Sequence, residues 1–217
     1  MIITSDHGEE FLEHGYVEHA WTLYDESLRI PLILWINNSV RPQTIEMPVS
    51  LIDVVPTICT ILDLPVELNS LDGKPFLSPH TDGFRIHNKP RMIISELLIQ
   101  HRCMLRSITD DQWKYISVQK WVEPEDRHDA ATVFLTDQLS EPIDPWGTII
   151  RDELYNIKDD PHERKNLVSK EFEHAQRYRN FLERFRLERQ SGNGEFWVLP
   201  ETLPDDELRK LKALGYL

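Results

Sequence analysis

The chain opens on a short apolar run, Ile2-Ile3, which passes through Thr4-Ser5 directly into Asp6-His7-Gly8. A strand ending in a carboxylate, an imidazole and a glycine carries two metal-binding side chains to the carboxyl edge of a sheet, where α/β folds keep their sites. Ile2 to Thr4 falls short of the usual strand length of about five or six residues, so it reads as the tail of a strand. Ile30-Pro-Leu-Ile-Leu-Trp-Ile36 is continuously apolar and is expected to form a strand buried on both faces, closed by Asn37-Asn38-Ser39. Ser5 to Thr22, between them, is polar and carries Gly8, Gly15, His7, His14 and His19. Its composition predicts a long functional loop.

From Ser50 the pattern turns helical. Leu51, Ile52, Val54, Val55, Ile58, Ile61 and Leu62 recur at three- and four-residue spacing, with Ser50 placed to cap and Pro65 just past the end. Pro56 must lie in the first turns or kink the helix. Glu67 to Lys89 is rich in Pro, Gly, Ser and Asp and reads as a connection. After Pro90 come short strand-like runs, Arg91–Ile99, Arg102–Ile108 and Trp113–Val118, with Asp110-Asp111 as a hairpin turn. Glu153–Ile157 is a fourth, after a Pro-rich excursion from Pro124 to Pro145. Phe172 to Glu188 predicts an amphipathic helix with Phe172, Ala175, Tyr178, Phe181, Leu182 and Phe185 on one side, and Asp205 to Leu214 a last short one. The expected division is residues 1–89, part of an α/β domain, and residues 90–217, a smaller α+β subdomain with an antiparallel sheet and packed helices.

The net charge of −13 argues against nucleic acid as a partner, because no basic field would draw phosphates. A small anionic substrate needs only local positive charge or a metal. Cys59 and Cys103 lie among apolar residues and read as buried free thiols, with a single disulfide as the alternative. No apolar run reaches the length of a membrane span, and the first residues lack a basic-then-apolar leader pattern. Neither feature assigns a compartment.

Asp6 offers a hard oxygen and His7 an imidazole, a pair suited to a divalent cation, the histidine tilting the choice toward transition metals. Two ligands do not complete a site. His14 and His19 could each bind an anion or protonate a leaving oxygen, and from spacing alone each is equally a solvated loop histidine. Arg29, just before the apolar run, is expected to pair structurally with Asp25 or Glu26.

Several stretches in order carry a family likeness. Thr4-Ser-Asp-His-Gly-Glu9, Glu13-His-Gly15 and Leu23-Tyr-Asp-Glu-Ser-Leu-Arg-Ile-Pro-Leu-Ile33 resemble the second half of the sulfatases, members of the alkaline-phosphatase-like superfamily of metal-dependent hydrolases. Ser50-Leu-Ile-Asp-Val-Val-Pro-Thr57 with Leu64-Pro65, then Asp72-Gly-Lys74, resemble the family's following helix and loop. Glu153-Leu-Tyr-Asn-Ile-Lys-Asp-Asp-Pro-His-Glu-Arg-Lys-Asn-Leu167 resembles its C-terminal signature, and Leu211–Leu217 a frequent ending.

The resemblance implies the C-terminal part of an alkaline-phosphatase-like α/β sandwich plus a small four-stranded antiparallel subdomain. It implies sulfate ester hydrolysis at one divalent metal, Ca²⁺ first, with Mg²⁺, Mn²⁺ or Zn²⁺ as alternatives. Asp6 and His7 match the second pair of metal ligands. Where many relatives place a sulfate-holding Lys this chain has Ala20, with His19 beside it. His19 is therefore the expected substrate contact or leaving-group acid, with His14 the second catalytic candidate. The family's formylglycine nucleophile arises from Cys-x-Pro-x-Arg or Ser-x-Pro-x-Arg, and neither Cys59 nor Cys103 has that context. The chain is thus expected to be a fragment without the nucleophile half, inactive alone and poorly soluble, with residues 90–217 the better ordered. Alternatives are a phosphoryl or phosphonate ester hydrolase or phosphoethanolamine transferase of the same superfamily, and a non-catalytic binding or structural module.

Overall fold

The apolar residues ahead of Asp6-His7 do form a strand in the computed structural model, which describes residues 1–37, 42–81, 83–87, 91–99, 103–120 and 149–191. Strand β1 (Ile2–Thr4) pairs antiparallel with β4 (Leu32–Leu34), in the register Ile2 to Leu34 and Thr4 to Leu32. The backbone ladder extends one step further, because Met1 and Trp35 exchange both hydrogen bonds at 2.9 Å. The expected strand buried on both faces is corrected here. Ile3, Ile33 and Trp35 are 48%, 55% and 56% exposed, because side chains alternate across the two-stranded ladder and only one face is covered among the described residues.

The polar stretch after β1 is a small hairpin rather than an open loop. β2 (Glu10–Phe11) pairs with β3 (Val17–Glu18), Glu10 opposite Glu18. Glu10 is fully buried and holds the hairpin down, its carboxylate accepting from the hydroxyls of Thr22 and Ser27. A one-turn helix, α1 (Asp25–Leu28), follows. Gly8 donates to the Ser27 carbonyl at 2.8 Å, and a Cβ on it would lie 1.9 Å from the Glu26 carbonyl oxygen. Only glycine permits that approach.

The helical pattern from Ser50 is realised as a 3₁₀ turn (Leu51–Asp53) leading into α2 (Val54–Ile61), with Pro56 in the first turn where its missing N–H costs nothing. Ser50 caps as expected, and Asp53 makes the cap reciprocal, its carboxylate accepting from the Ser50 N–H at 2.9 Å. Asp53 is fully buried and does more than cap. It also accepts from the Lys74 N–H at 2.9 Å and takes both terminal nitrogens of Arg91, at 2.9 and 3.0 Å. One carboxylate thereby ties the helix start, the Gly73 turn and the strand entry at Arg91. Asp53→Asn keeps the shape and loses the charge-assisted bonds. It should lower the unfolding free energy by about 1.5–3 kcal/mol, read from the urea midpoint, and no shift would remove Asp53 from this role.

The connection expected between Glu67 and Lys89 contains a hairpin that composition concealed. β5 (Leu77–His80) pairs with β6 (Gly83–Ile86), and Phe76 donates its N–H to the Thr57 hydroxyl of α2 at 3.1 Å. Pro79 is tolerated because the ribbon has only two strands, so an N–H is needed on one side alone.

The four short strands expected after Pro90 form one antiparallel sheet in the order β10-β9-β8-β7: β7 (Ile93–Ile99), β8 (Cys103–Thr109), β9 (Trp113–Lys120) and β10 (Ile149–Asn156). Asp110 makes the turn between β8 and β9, its side chain accepting from the N–H groups of Gln112 and Trp113 at 2.9 and 2.8 Å. Period-two alternation puts Leu105, Ile116, Val118 and Tyr155 on one face, where they pack with Leu23 and Tyr24 from the chain before α1. Helix α3 (Phe172–Ser191) begins within the predicted span. Ala175, Tyr178 and Leu182 are its buried residues, whereas Phe172 is 61% exposed and leaves the predicted apolar side. The chain divides into a compact unit of Met1–Gln176 and a second of Arg177–Leu217, described as far as Ser191. The Pro124–Pro145 excursion and the helix expected at Asp205–Leu214 lie outside the described residues. Cys59 and Cys103 are buried and form no disulfide, as their apolar neighbours implied. No helix among the described residues is long and apolar enough to cross a membrane.

Candidate metal and acid site

Asp6 and His7 stand side by side where β1 ends. Oδ1 of Asp6 accepts the His7 N–H at 3.1 Å and the Ser5 hydroxyl at 3.4 Å, leaving Oδ2 turned toward the His7 ring. His7 Nδ1 lies 2.9 Å from the Gly8 carbonyl oxygen, which can only accept, so Nδ1 carries the proton. Nε2 then presents a lone pair 3.8 Å from Asp6 Oδ2. A backbone carbonyl fixing the tautomer of a ligating histidine is the usual support of a metal site. The pair therefore fits a divalent cation.

The hairpin brings His19 back to the same place. Its ring stacks on that of His7 with centroids 3.9 Å apart and planes 28° apart, and its Nδ1 lies 2.9 Å from Glu9 Oε1. That return needs a contorted backbone. Leu12, Glu18 and Ala20 all adopt positive φ (77°, 70° and 71°), as does Gly15 at 89°. Such conformations cost non-glycine residues of order 1 kcal/mol each and gather where a site is being held open. Glu9 was not singled out from the sequence. Its signal was its place after Asp6-His7-Gly8, where it can point back along the loop.

His14 is placed elsewhere. Its ring stacks on Tyr24 at 3.7 Å, Nδ1 faces Glu26 Oε2 at 3.5 Å, and Nε2 lies 3.2 and 3.3 Å from the carbonyl oxygens of His162 and Glu163. Nε2 thus braces the loop against the segment after β10, while Nδ1 makes only the longer approach to Glu26 in α1. Asp25 and Glu26, expected beside Arg29, are held by Lys114 and His14 instead.

Beneath the loop lies a buried polar network that sequence reading did not find. Lys114, with no exposed side chain, places Nζ 2.8 Å from both Asp25 Oδ1 and Glu163 Oε1. Glu163 Oε2 accepts the Asp25 N–H at 2.6 Å. Burial, aided by Asp25, raises the Glu163 carboxyl above its ordinary value against the pull of Lys114. Glu153 accepts from the hydroxyls of Tyr24 and Tyr155, both at 2.9 Å, and pairs with Arg151 at 3.0 Å. Burial first, then the Glu153 charge, pushes both phenols far up, so both remain neutral donors. Burial works against the Arg151 charge, and Glu153 together with Tyr24 and Tyr16 more than restores it. These partners are far apart in the chain (Asp25 and Lys114, Tyr24 and Glu153), so no local pattern announces them.

Residues 1–64 match the family model described as Sulfatase. The chain is 27% identical to arylsulfatase K of Rattus norvegicus over 179 residues, covering 78% of this chain and 26% of that protein. It is 29% identical to the uncharacterized sulfatase YidJ of Escherichia coli K12 over 171 residues, covering 77% of this chain and 28% of that one. A crystal structure from Bacteroides thetaiotaomicron assigned to the sulfatases shares the fold with a TM-score of 0.55 at 20% identity, across 87% of this chain and 36% of that one. These matches support the sulfatase family, with the family model itself confined to residues 1–64. It spans little more than a quarter of the length of these curated relatives.

Proposed function

We propose that this chain contributes the Asp6-His7 wall and the leaving-group acid of a metal-dependent sulfate ester hydrolase. The observation that carries the reading is the His7 tautomer, with Nδ1 bound to the Gly8 carbonyl and Nε2 opposed to Asp6 Oδ2. A divalent cation held there, Ca²⁺ first, would polarise the sulfuryl oxygens. His19 keeps Nδ1–H on Glu9 while Nε2 gives its proton to the departing alcohol oxygen, and the Glu9 carboxylate stabilises the imidazolium. His14 supports this arrangement by holding the hairpin to the segment after β10 and takes no proton-transfer step.

Support also comes from the family match over residues 1–64, which contain all four of these side chains. No Cys-x-Pro-x-Arg or Ser-x-Pro-x-Arg stretch occurs in the 217 residues, and Cys59 and Cys103 are buried in α2 and β8. The 217-residue polypeptide should therefore leave 4-nitrophenyl sulfate unhydrolysed with Ca²⁺ or Mn²⁺ added. Steady turnover lost on Asp6→Ala would show a nucleophile within this chain and overturn that part of the reading. The coding DNA around Met1 tests the rest. An in-frame Cys or Ser in the nucleophile pattern supports a sulfatase, a Thr in that place shifts the reading to a phosphoryl transferase, and no nucleophile at all sinks it.

A further inference from the structure

We propose that His7, Glu9 and His19 form a second coordination site, on the opposite edge of the His7 ring from Asp6, that selects transition metals over Ca²⁺. The proposal rests on the family reading only for the identity of the Asp6 edge, and its test separates the two. One ligand atom from each of the three residues lies within 4.8 Å of the others. Two imidazoles and one carboxylate are a borderline donor set, favoured by Zn²⁺, Co²⁺ and Ni²⁺ and poor for Ca²⁺, which wants six to eight oxygens.

The geometry is close to what an ion requires. Ligands about 2.1 Å from one metal sit roughly 3.0–3.5 Å apart for right-angle to tetrahedral placement. His19 Nδ1 and Glu9 Oε1 are already at 2.9 Å, and His7 Nδ1 is 3.9 Å from the same oxygen. The rings stack with planes 28° apart, so for both nitrogens to face one ion His7 must rotate out of the stack. That rotation takes Nδ1 off the Gly8 carbonyl and leaves the His7 proton on Nε2, with Asp6 Oδ2 as its acceptor. His7 thus serves one edge or the other, and the two ions exclude each other. All three side chains are one-third to two-fifths exposed, which gives an ion access from solvent.

Titrating the 217-residue chain with Zn²⁺ by calorimetry, and with Co²⁺ by its visible absorption, decides the matter. Glu9→Gln and His19→Ala should each weaken Zn²⁺ binding by at least about tenfold and by more than Asp6→Ala does, and in Asp6→Ala, where the other edge is removed, millimolar Ca²⁺ should fail to displace Zn²⁺. Unchanged Zn²⁺ affinity in His19→Ala overturns the proposal. Loss on Asp6→Ala with Glu9→Gln and His19→Ala both silent also overturns it, and leaves the Asp6-His7 reading standing. Loss on Glu9→Gln and His19→Ala with Asp6→Ala silent supports the new site even if the Asp6 edge never binds an ion. Far-UV circular dichroism of each variant, expected unchanged for such exposed positions, keeps a folding defect from passing as a ligand loss.

Discussion

Lys114→Met should lower the unfolding free energy by about 3–5 kcal/mol, since it removes the charge and keeps the volume of a side chain buried between two carboxylates. Asp25 and Glu163 would then face each other with nothing opposing their charge. Adding Glu163→Gln to that variant should recover part of the loss, because one of the two uncompensated charges disappears. The pH dependence has a definite sign. Glu163 is an acid whose folded value is raised, so its favourable contribution is full below its ordinary 4.5 and drains away as pH rises through the folded value. Removing Lys114 raises that value further. The penalty of Lys114→Met should therefore be greatest near neutrality and shrink toward pH 4 as the carboxylates are protonated. Urea unfolding at two pH values measures it, and a loss below about 1 kcal/mol at neutral pH would show that the three groups are not coupled as described.

Gly8→Ala is the second large effect. The added methyl carbon would sit 1.9 Å from the Glu26 carbonyl oxygen and 3.0 Å from its carbon, both backbone atoms that no rotamer change can move. The end of β1 must separate from α1, which breaks the Gly8-to-Ser27 hydrogen bond and turns His7 away from the Gly8 carbonyl. The expected stability cost is about 1–3 kcal/mol. Because His7 loses the partner that aims Nε2 at Asp6, affinity for a divalent ion at the Asp6 edge should also fall by about ten- to a hundredfold, the usual effect of losing a ligand's support. Stability and metal affinity are read separately, by urea unfolding and calorimetry on the folded variant. A stable variant with unaltered affinity would show that the glycine is not what aims the site.

Much of the frame was legible because it is periodic or local. Alternation marked β7, β8, β9 and β10, and the Asp110 side chain made the predicted turn by satisfying N–H groups two and three residues on. Ser50 announced the cap of the helix entry by its place before the apolar pattern, and Asp53 completes that cap. Asp6 and His7 were legible as a pair because adjacency in sequence is adjacency in space at a strand end. The hairpin of β5 and β6 was missed because Pro, Ser and Gly mark turns and short ribbons alike. Ile33 and Trp35 read as doubly buried because an apolar run reports hydrophobicity and says nothing of what covers it.

The sequence by itself determined the strand-end Asp6-His7 pair, the capped helix and the antiparallel sheet, because each follows from spacing within some ten residues. The tertiary structure alone decided that His19 joins His7 and Glu9 while His14 turns to the segment after β10. It also decided that Lys114 lies buried between acids from either side of it in the chain. The outcomes depend on a hairpin with several residues at positive φ and on contacts across more than a hundred residues, where burial lets one charge or hydrogen bond fix a geometry that no local pattern encodes.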